Sequence, residues 1–129
     1  MLFRSLVGKN EVVLFDRAFE GMSAPLSAAW GHSNLETIEG DILDPAAVSA
    51  AARDVDVVVH LAAIVGVKNV LSRGRETIEV NFTGTSNVLK AVQGRRDLHR
   101  FVYFSTSEVF GMNSFRAGED TPEIGRAHV

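Results

Sequence analysis

A group of hydroxyl side chains and a carboxylate follows a strongly apolar, strand-like segment of the chain. Residues 101–104 (FVYF) predict a buried strand, and Ser105, Thr106, Ser107 and Glu108 come directly after it. In an open parallel sheet, ligands bind outside the carboxyl ends of the strands. We therefore interpret Thr106, Ser107 and Glu108 as candidate catalytic groups and Ser105 as a candidate cofactor contact. The structural alternative is a Ser/Thr turn after a strand, which is common.

Acidic residues follow two other strand-like segments. Asp16 ends residues 11–16 (EVVLFD), where dinucleotide-binding folds carry a carboxylate that accepts hydrogen bonds from the adenosine ribose and disfavours a 2′-phosphate. This favours NAD over NADP, although Arg17 beside it would tolerate a phosphate. Asp41 is placed to accept the adenine amino group while Ile42 packs on the ring. Each carboxylate taken alone is better interpreted as a turn residue.

Small residues follow a third strand-like segment, residues 56–60 (DVVVH). Leu61, Ala62 and Ala63 would let the backbone approach a cofactor closely, but close helix packing requires small residues too. His60 is interpreted as a hydrogen-bonded structural histidine rather than a catalyst.

Asn81 and Gly84 lie inside a predicted helix over residues 75–93. Glycine there costs roughly 1 kcal/mol relative to alanine, so the helix gives up propensity for another purpose. Close packing at Gly84 is the structural explanation, and Asn81 reaching a neighbouring loop or a cofactor is the functional one. The apolar pattern predicts one stripe on this helix, formed by Ile78, Phe82, Thr85, Val88, Leu89 and Val92.

The order of the predicted elements indicates the fold class. Strands are predicted at residues 11–16, 35–39, 56–60 and 101–104. A first helix over residues 45–53 has Asp44 as its N-cap and Pro45 at its first position. The run of three valines at residues 57–59 predicts a strand buried on both faces, as in a parallel sheet. Alternating strands and helices predict a doubly wound, Rossmann-like parallel sheet.

The composition excludes several classes of protein. A chain of 129 residues with 46% hydrophobic residues is long enough for one domain with a core. Its net charge of −3 argues against a nucleic-acid partner, and the absence of cysteine excludes disulfides. The four histidines have no ligand spacing, so no metal site is predicted. No apolar run is long enough to cross a bilayer and no signal peptide is visible, so we expect no membrane partner and a cytoplasmic location.

Taken in order, these segments resemble one family. EVVLFD, GDILD, VVVHLAA, VNFTGTSNVL and FVYFSTSEVFG are similar to motifs of the extended short-chain dehydrogenase/reductases. Within them, they resemble the NAD-dependent epimerases and dehydratases that act on nucleotide sugars. The resemblance implies NAD as the cofactor, a nucleotide sugar as the substrate, and a homodimer formed through the helix at residues 75–93.

The resemblance also implies a role for each candidate residue. Around the adenosine it places Asp16, Asp41 and Ile42. Along the pyrophosphate and nicotinamide it places Leu61, Ala62 and Ala63, with Asn81 in support. Thr106 matches the family's catalytic Ser/Thr, which hydrogen-bonds the sugar hydroxyl that is oxidised.

In the family's reaction, hydride moves from the sugar to NAD while a tyrosine takes the hydroxyl proton. A lysine four residues later makes that tyrosine more acidic. The keto-sugar is then reduced on its other face, dehydrated or decarboxylated. Ser107 stands where the 4,6-dehydratases of the family tend to have Asp, which favours the decarboxylating branch or an epimerase.

Two parts of the family pattern are absent from the sequence: the first strand with its Gly-rich turn, and Tyr-x-x-x-Lys. The single tyrosine, Tyr103, lies within a strand. We therefore expect residues 6–122 to be a partial dinucleotide-binding domain without the substrate domain. Residues 1–5 and 124–129 are expected to be non-native tails, because LFRS and IGRAHV match translations of a common short-read sequencing adapter.

By the resemblance, the absent strand lies between the strands that end at Asp16 and His60. Each unpaired buried backbone group costs roughly 1–3 kcal/mol, against a net domain stability of about 5–15 kcal/mol. We therefore expect the isolated chain to fold poorly and to bind NAD weakly or not at all. Two alternatives to an enzyme remain at this point: a catalytically silent NAD(P)-binding sensor, and a fragment with no activity of its own.

Overall fold

The computed structural model describes residues 6–19 and 31–106, which contain four strands and several intervening helical segments. In chain order the elements are β1 (Val12–Asp16), β2 (Leu35–Glu39), α1 (Pro45–Ala51), β3 (Val57–His60), α2 (Val67–Ser72), α3 (Gly74–Ile78), a π-helical segment (Glu79–Gly84), α4 (Thr85–Val92) and β4 (Arg100–Tyr103). This order confirms the predicted α/β class. A weak helix expected near residues 24–30 lies outside the described residues.

The strands form two separate parallel pairs. β1 pairs with β2, with Val12 opposite Leu35, and β3 pairs with β4, with His60 opposite Tyr103. Within the described residues, no ladder joins β1 to β3. The family resemblance predicts a further strand between these two pairs, and the described residues form an incomplete parallel sheet.

The strands are less buried than their apolar sequences predict. Val57 is 47% exposed, and Val58 and Val59 are half-buried, so the prediction of a strand buried on both faces is wrong. Tyr103 and Phe104 are also exposed. The physical reason is that β3 has a ladder partner on one edge alone among the described residues, so the other edge lacks the cover that a central strand receives.

The first helix begins as predicted. The Asp44 side chain accepts hydrogen bonds from the backbone N–H groups of Ala46 at 2.9 Å and Ala47 at 3.2 Å, and Pro45 occupies the first turn. α1 packs against α4. The buried apolar residues of the described chain are Val7, Leu14, Val48, Ala52, Val88 and Val92. The buried apolar residues therefore lie on β1 and on these two helices or directly beside them, with Val7 just before β1.

The long helix predicted over residues 75–93 is interrupted. It consists of α3, the π-helical segment and α4, and α2 before it was not predicted. Ile78 and Phe82 are 67% and 76% exposed, whereas Val88 and Val92 are buried. The predicted single stripe is wrong because a π turn takes an extra residue and rotates the later turns of the helix relative to the earlier ones. Gly94 has φ 77°, and with this left-handed residue the chain leaves α4.

Arg95 links the segments that precede β3 and β4. The Arg95 guanidinium donates to the backbone carbonyls of Ala52 and of Val55, the latter at 2.9 Å. It also pairs with Asp97 at 2.5 Å, and this contact lowers the pKa of the Asp97 carboxyl. The turns that precede the two strands are thereby held together.

Candidate functional site

A cleft of about 290 Å³ lies where the carboxyl ends of three strands meet. We call it the large cleft. Its walls are Phe15, Asp16, Arg17, Gly40, Asp41, Ile42, Leu61, Ala62, Ala63, Ile64 and Val80. The structure thus brings together the predicted adenosine-side residues and the small residues after β3, which are far apart in the sequence. The cleft spans the two separate strand pairs.

The end of β1 supplies one acidic and one basic group to the large cleft. Asp16 Oδ1 accepts a hydrogen bond from the Ala18 N–H at 3.3 Å, and the Asp16 carbonyl accepts one from the Gly40 N–H at 2.9 Å. Arg17 Nη1 lies 3.9 Å from Glu76 Oε1, a contact between exposed side chains. The carboxylate therefore lies at the cleft, and the arginine beside it faces Glu76 of α3, which itself pairs with Arg73.

Hydrogen bonds fix the turn after β2 at Asp41 and at Ile42. Asp41 Oδ1 accepts a hydrogen bond from the Leu43 N–H at 2.8 Å, which closes the turn. Asn87 on α4 donates from Nδ2 to the Ile42 carbonyl at 3.1 Å and is itself buried. Ile42 is thereby fixed against α4 from its backbone.

Gly84 completes the fit of this turn on the helix. A Cβ at Gly84 would lie 2.8 Å from Ile42 Cγ2, closer than carbon atoms pack. The predicted close approach at Gly84 is therefore confirmed, and its partner is the turn after β2. Asn87 and Gly84 both give up helix propensity in order to hold Ile42 at the wall of the large cleft.

The loop after β3, residues 61–64, lies between the large cleft and a second, smaller cavity. Leu61, Ala62 and Ala63 are exposed and line both. Asn81 fixes the end of the loop, because its Oδ1 accepts from the Ile64 N–H at 2.7 Å and its Nδ2 donates to the Ile64 carbonyl at 3.0 Å. Asn81 therefore reaches a neighbouring loop, as its functional interpretation requires.

The second space, the small cavity, measures about 60 Å³ and lies at the ends of β3 and β4. Its walls are His60, Leu61, Ala62, Ala63, Asn81, Thr85, Tyr103 and Phe104. The His60 ring centroid is 5.7 Å from that of Tyr103, and burial lowers the pKa of His60. Burial thus disfavours the charged imidazolium form of His60, in agreement with its interpretation as a structural residue.

The predicted catalytic residues continue from β4. Ser105 and Thr106 follow β4 after Phe104, and both are exposed. Ser107 and Glu108 lie outside the described residues. The stretch that carries Thr106 thus leaves the sheet beside the small cavity, on the same edge as the large cleft.

Sequence reasoning does not single out Phe15 and Val80 as walls of the large cleft. The residue pattern indicates only that Phe15 belongs to β1. In the structure its ring packs so closely on Gly40 that a Cβ there would lie 2.5 Å from it. Val80 precedes Asn81, and the π-helical geometry that turns it toward the cleft has no signal in the residue pattern. The pairing of Thr85 with His60 is likewise not predicted.

Neither a metal cluster nor a membrane span is found in the described part of the chain. No group of three or more His, Asp or Glu side chains among these residues is arranged to hold a metal ion. In the same residues, no helix is both long and apolar enough to cross a membrane.

Parallel strands, helices that connect β2 to β3 and β3 to β4, and a large cleft at the carboxyl ends of three strands place the chain in the doubly wound α/β class of nucleotide-binding folds. Within that class, the sequence model of the NAD dependent epimerase/dehydratase family matches residues 2–127. The chain belongs to this family.

Its relatives include enzymes of more than one kind. It is 36% identical over 116 residues to UDP-N-acetyl-alpha-D-glucosaminuronate decarboxylase of Bacillus cytotoxicus, covering 89% of this chain and 35% of the relative. It is also 36% identical over 110 residues to a 3 beta-hydroxysteroid dehydrogenase/Delta 5-->4-isomerase of Mycobacterium tuberculosis, covering 81% of this chain and 29% of that protein. The chain thus spans about a third of the length of these curated relatives.

A solved structure shares this fold. UDP-glucuronic acid 4-epimerase from Bacillus cereus, in complex with UDP-glucuronic acid and NAD, superposes with a TM-score of 0.76 at 29% identity. The superposition covers 95% of this chain and 41% of the epimerase. Parallel strands with intervening helices are therefore shared with an NAD-bound sugar epimerase.

Proposed function

We propose that this chain is the NAD-binding part of an enzyme that oxidises a nucleotide sugar and then epimerises, dehydrates or decarboxylates it. The observation that carries the proposal is the large cleft. It gathers a carboxylate, an apolar turn and a run of small residues at the carboxyl ends of β1, β2 and β3. That set suits the successive parts of a dinucleotide.

At the adenosine end, Asp16 would accept hydrogen bonds from the ribose hydroxyls, and its charge would repel a 2′-phosphate. Glu76, which pairs chiefly with Arg73, also lies 3.9 Å from Arg17 and would weaken the attraction of that cation for such a phosphate. Asp41 and Ile42 would flank the adenine, one as a hydrogen-bond acceptor and the other as an apolar surface.

Along the middle of the cleft, residues 61–63 would face the pyrophosphate and the nicotinamide. Their side chains are exposed, and the two alanines leave the backbone accessible to a ligand. The two hydrogen bonds of Asn81 to Ile64 would keep this backbone in place when a ligand binds. The residues present therefore fit the cofactor.

When bound, NAD supplies the hydride acceptor of the reaction. The Thr106 hydroxyl would hydrogen-bond the sugar hydroxyl that is oxidised, and Ser105 would contact the cofactor. Ser107 and Glu108 stay candidate catalytic residues on the basis of the sequence. The proton acceptor is not among these residues, because the sequence contains no Tyr-x-x-x-Lys. We infer that the isolated chain is inactive and that activity belongs to the whole protein, the product of the complete reading frame that contains this chain.

The proposal is tested on the whole protein with UDP-sugars and NAD. Thr106→Ala should lower turnover about 10- to 1,000-fold, as expected for the loss of a positioned hydrogen-bonding group, while Thr106→Ser keeps most of the activity. Asp16→Asn should weaken NAD binding in calorimetry, with Asp54→Asn, near Arg95 and away from the cleft walls, as the matched control. Unchanged turnover in Thr106→Ala, or unchanged NAD affinity in Asp16→Asn, would refute the assigned roles.

A second candidate is the oxidation of a hydroxysteroid. The observation that favours it is the 36% identity to the mycobacterial hydroxysteroid dehydrogenase, equal to the identity with the sugar decarboxylase. Parallel assays with UDP-sugars and with a 3β-hydroxysteroid decide between the two substrates. If NAD is reduced with the steroid and with none of the UDP-sugars, the steroid proposal replaces the sugar proposal.

A further inference from the structure

A chain of polar contacts runs from the end of β3 to the helix behind it. His60, which is 6% exposed, places Nε2 at 2.8 Å from Thr85 Oγ1. The Thr85 hydroxyl donates to the Asn81 carbonyl at 2.7 Å. A hydroxyl carries one hydrogen, and this bond uses it, so the contact with His60 requires that His60 Nε2–H donates to Thr85. The geometry therefore assigns the Nε2–H tautomer to a neutral His60.

The same helix also holds the other end of the loop. The side-chain amide of Asn81 makes two hydrogen bonds to Ile64, one with its backbone N–H and one with its backbone carbonyl. His60 thus fastens the start of residues 61–64 to Thr85, and Asn81 fastens their end. Thr85 and Asn81 are themselves joined by the hydroxyl-to-carbonyl bond. The loop is held at both ends by one connected set of hydrogen bonds.

We propose that His60 is a positioning residue which, through Thr85 and Asn81, sets the shape of the loop at residues 61–64 for cofactor binding. The proposal rests on the proposed function, because the shape of this loop affects catalysis only where the loop faces NAD. In this tautomer Nε2 has no lone pair with which to accept a proton, and the proposed reaction gives no part to Nδ1.

The chain offers a matched control for the test. Thr77 is buried in α3, and its hydroxyl donates to the Arg73 carbonyl at 2.9 Å, the same kind of bond that Thr85 makes. Thr77 does not line either cavity. Thr77→Val therefore removes an equivalent bond without touching the loop, and it separates loss of stability from loss of positioning.

The experiment measures the NAD dissociation constant, the thermal midpoint and amide exchange at Ile64 in the whole protein. Thr85→Val should raise the NAD dissociation constant about 5- to 30-fold, as the loss of one buried hydrogen bond implies. Thr85→Ser should restore affinity, and Thr77→Val should lower the midpoint without changing affinity. His60→Leu should act like Thr85→Val, and His60→Gln, which keeps an N–H donor, should bind NAD more tightly than His60→Leu.

Two readouts do not depend on NAD. Two-bond ¹H–¹⁵N correlations of the imidazole should show the Nε2–H tautomer of His60, and the Ile64 amide should exchange faster in Thr85→Val than in Thr77→Val. A wild-type protein that binds no NAD but passes both readouts would refute the proposed function alone. An Nδ1–H tautomer, unchanged exchange at Ile64, or equal effects of Thr85→Val and Thr77→Val on NAD affinity would overturn the positioning role.

Discussion

Replacing Gly84 with alanine should separate a steric effect from helix propensity. Gly84 has ordinary helical angles, φ −58° and ψ −48°, so alanine is conformationally acceptable and gains about 1 kcal/mol of propensity. Its Cβ would lie 2.8 Å from Ile42 Cγ2 and 3.2 Å from Cγ1, whereas carbon atoms pack at about 3.5–4.0 Å. Overpacking of this kind costs about 1–3 kcal/mol.

Gly74→Ala provides the comparison, because Gly74 also lies in a helix and a Cβ there meets nothing within 4 Å. The two variants of the whole protein should therefore differ in unfolding free energy by the steric cost, about 1–3 kcal/mol in favour of Gly74→Ala. Urea unfolding followed by circular dichroism measures this difference. NAD affinity should also fall in Gly84→Ala, since the displaced Ile42 lines the large cleft.

A double-mutant cycle makes this prediction sharper. Ile42→Ala removes the atoms that the new Cβ would meet, so Gly84→Ala should cost little in that background. Equal stability of Gly84→Ala and Gly74→Ala, or no relief by Ile42→Ala, would refute the reasoning that the glycine exists for close packing.

Three further outcomes are expected. The isolated chain should show no cooperative thermal transition in circular dichroism, because β1 and β3 each lack a ladder partner on one edge among the described residues. A sharp transition whose midpoint rises with NAD would contradict this expectation. In the whole protein, Glu76→Gln should raise the NADP-to-NAD ratio of kcat/KM by up to about five-fold, the upper value of an exposed ion pair, and an unchanged ratio would exclude Glu76 as a determinant. Burial lowers the pKa of His60, so the unfolded state binds this proton more readily than the folded state. The contribution of His60 to the free energy of unfolding should therefore be fully present above pH 6.5 and should decrease as the pH falls below that value. The urea midpoint compared with that of His60→Gln measures this dependence, and identical pH profiles would contradict it.

The sequence was informative where local chemistry decides the structure. Asp44 and Pro45 predicted the start of α1, because capping depends on a few adjacent residues. Because parallel strands end together, the sequence predicts that the residues after them share one edge, and the structure brings together those that follow β1, β2 and β3. Asp16, Asp41 and Ala62 accordingly line the same cleft.

The sequence was uninformative where distant parts of the chain decide the structure. The valines of β3 are typical of a central strand, but their burial depends on neighbours that the described chain does not provide. The π-helical segment places Val80 at the cleft and leaves Phe82 exposed, and no residue pattern in this stretch distinguishes a π turn from an α turn. The bond between His60 and Thr85 joins residues 25 positions apart. Such pairings are set by how the helix docks on the sheet, which periodicity does not encode.

The Arg95 contacts have a consequence for how this domain can diversify. They tie α1, β3 and the turn before β4 together at the rim opposite the cleft, using main-chain carbonyls as anchors. Because both anchors are main-chain carbonyls, the side chains at positions 52 and 55 can change without loss of either bond. Both bonds depend on the single guanidinium of Arg95, so substitution is expected to be tolerated at its partners and not at Arg95 itself.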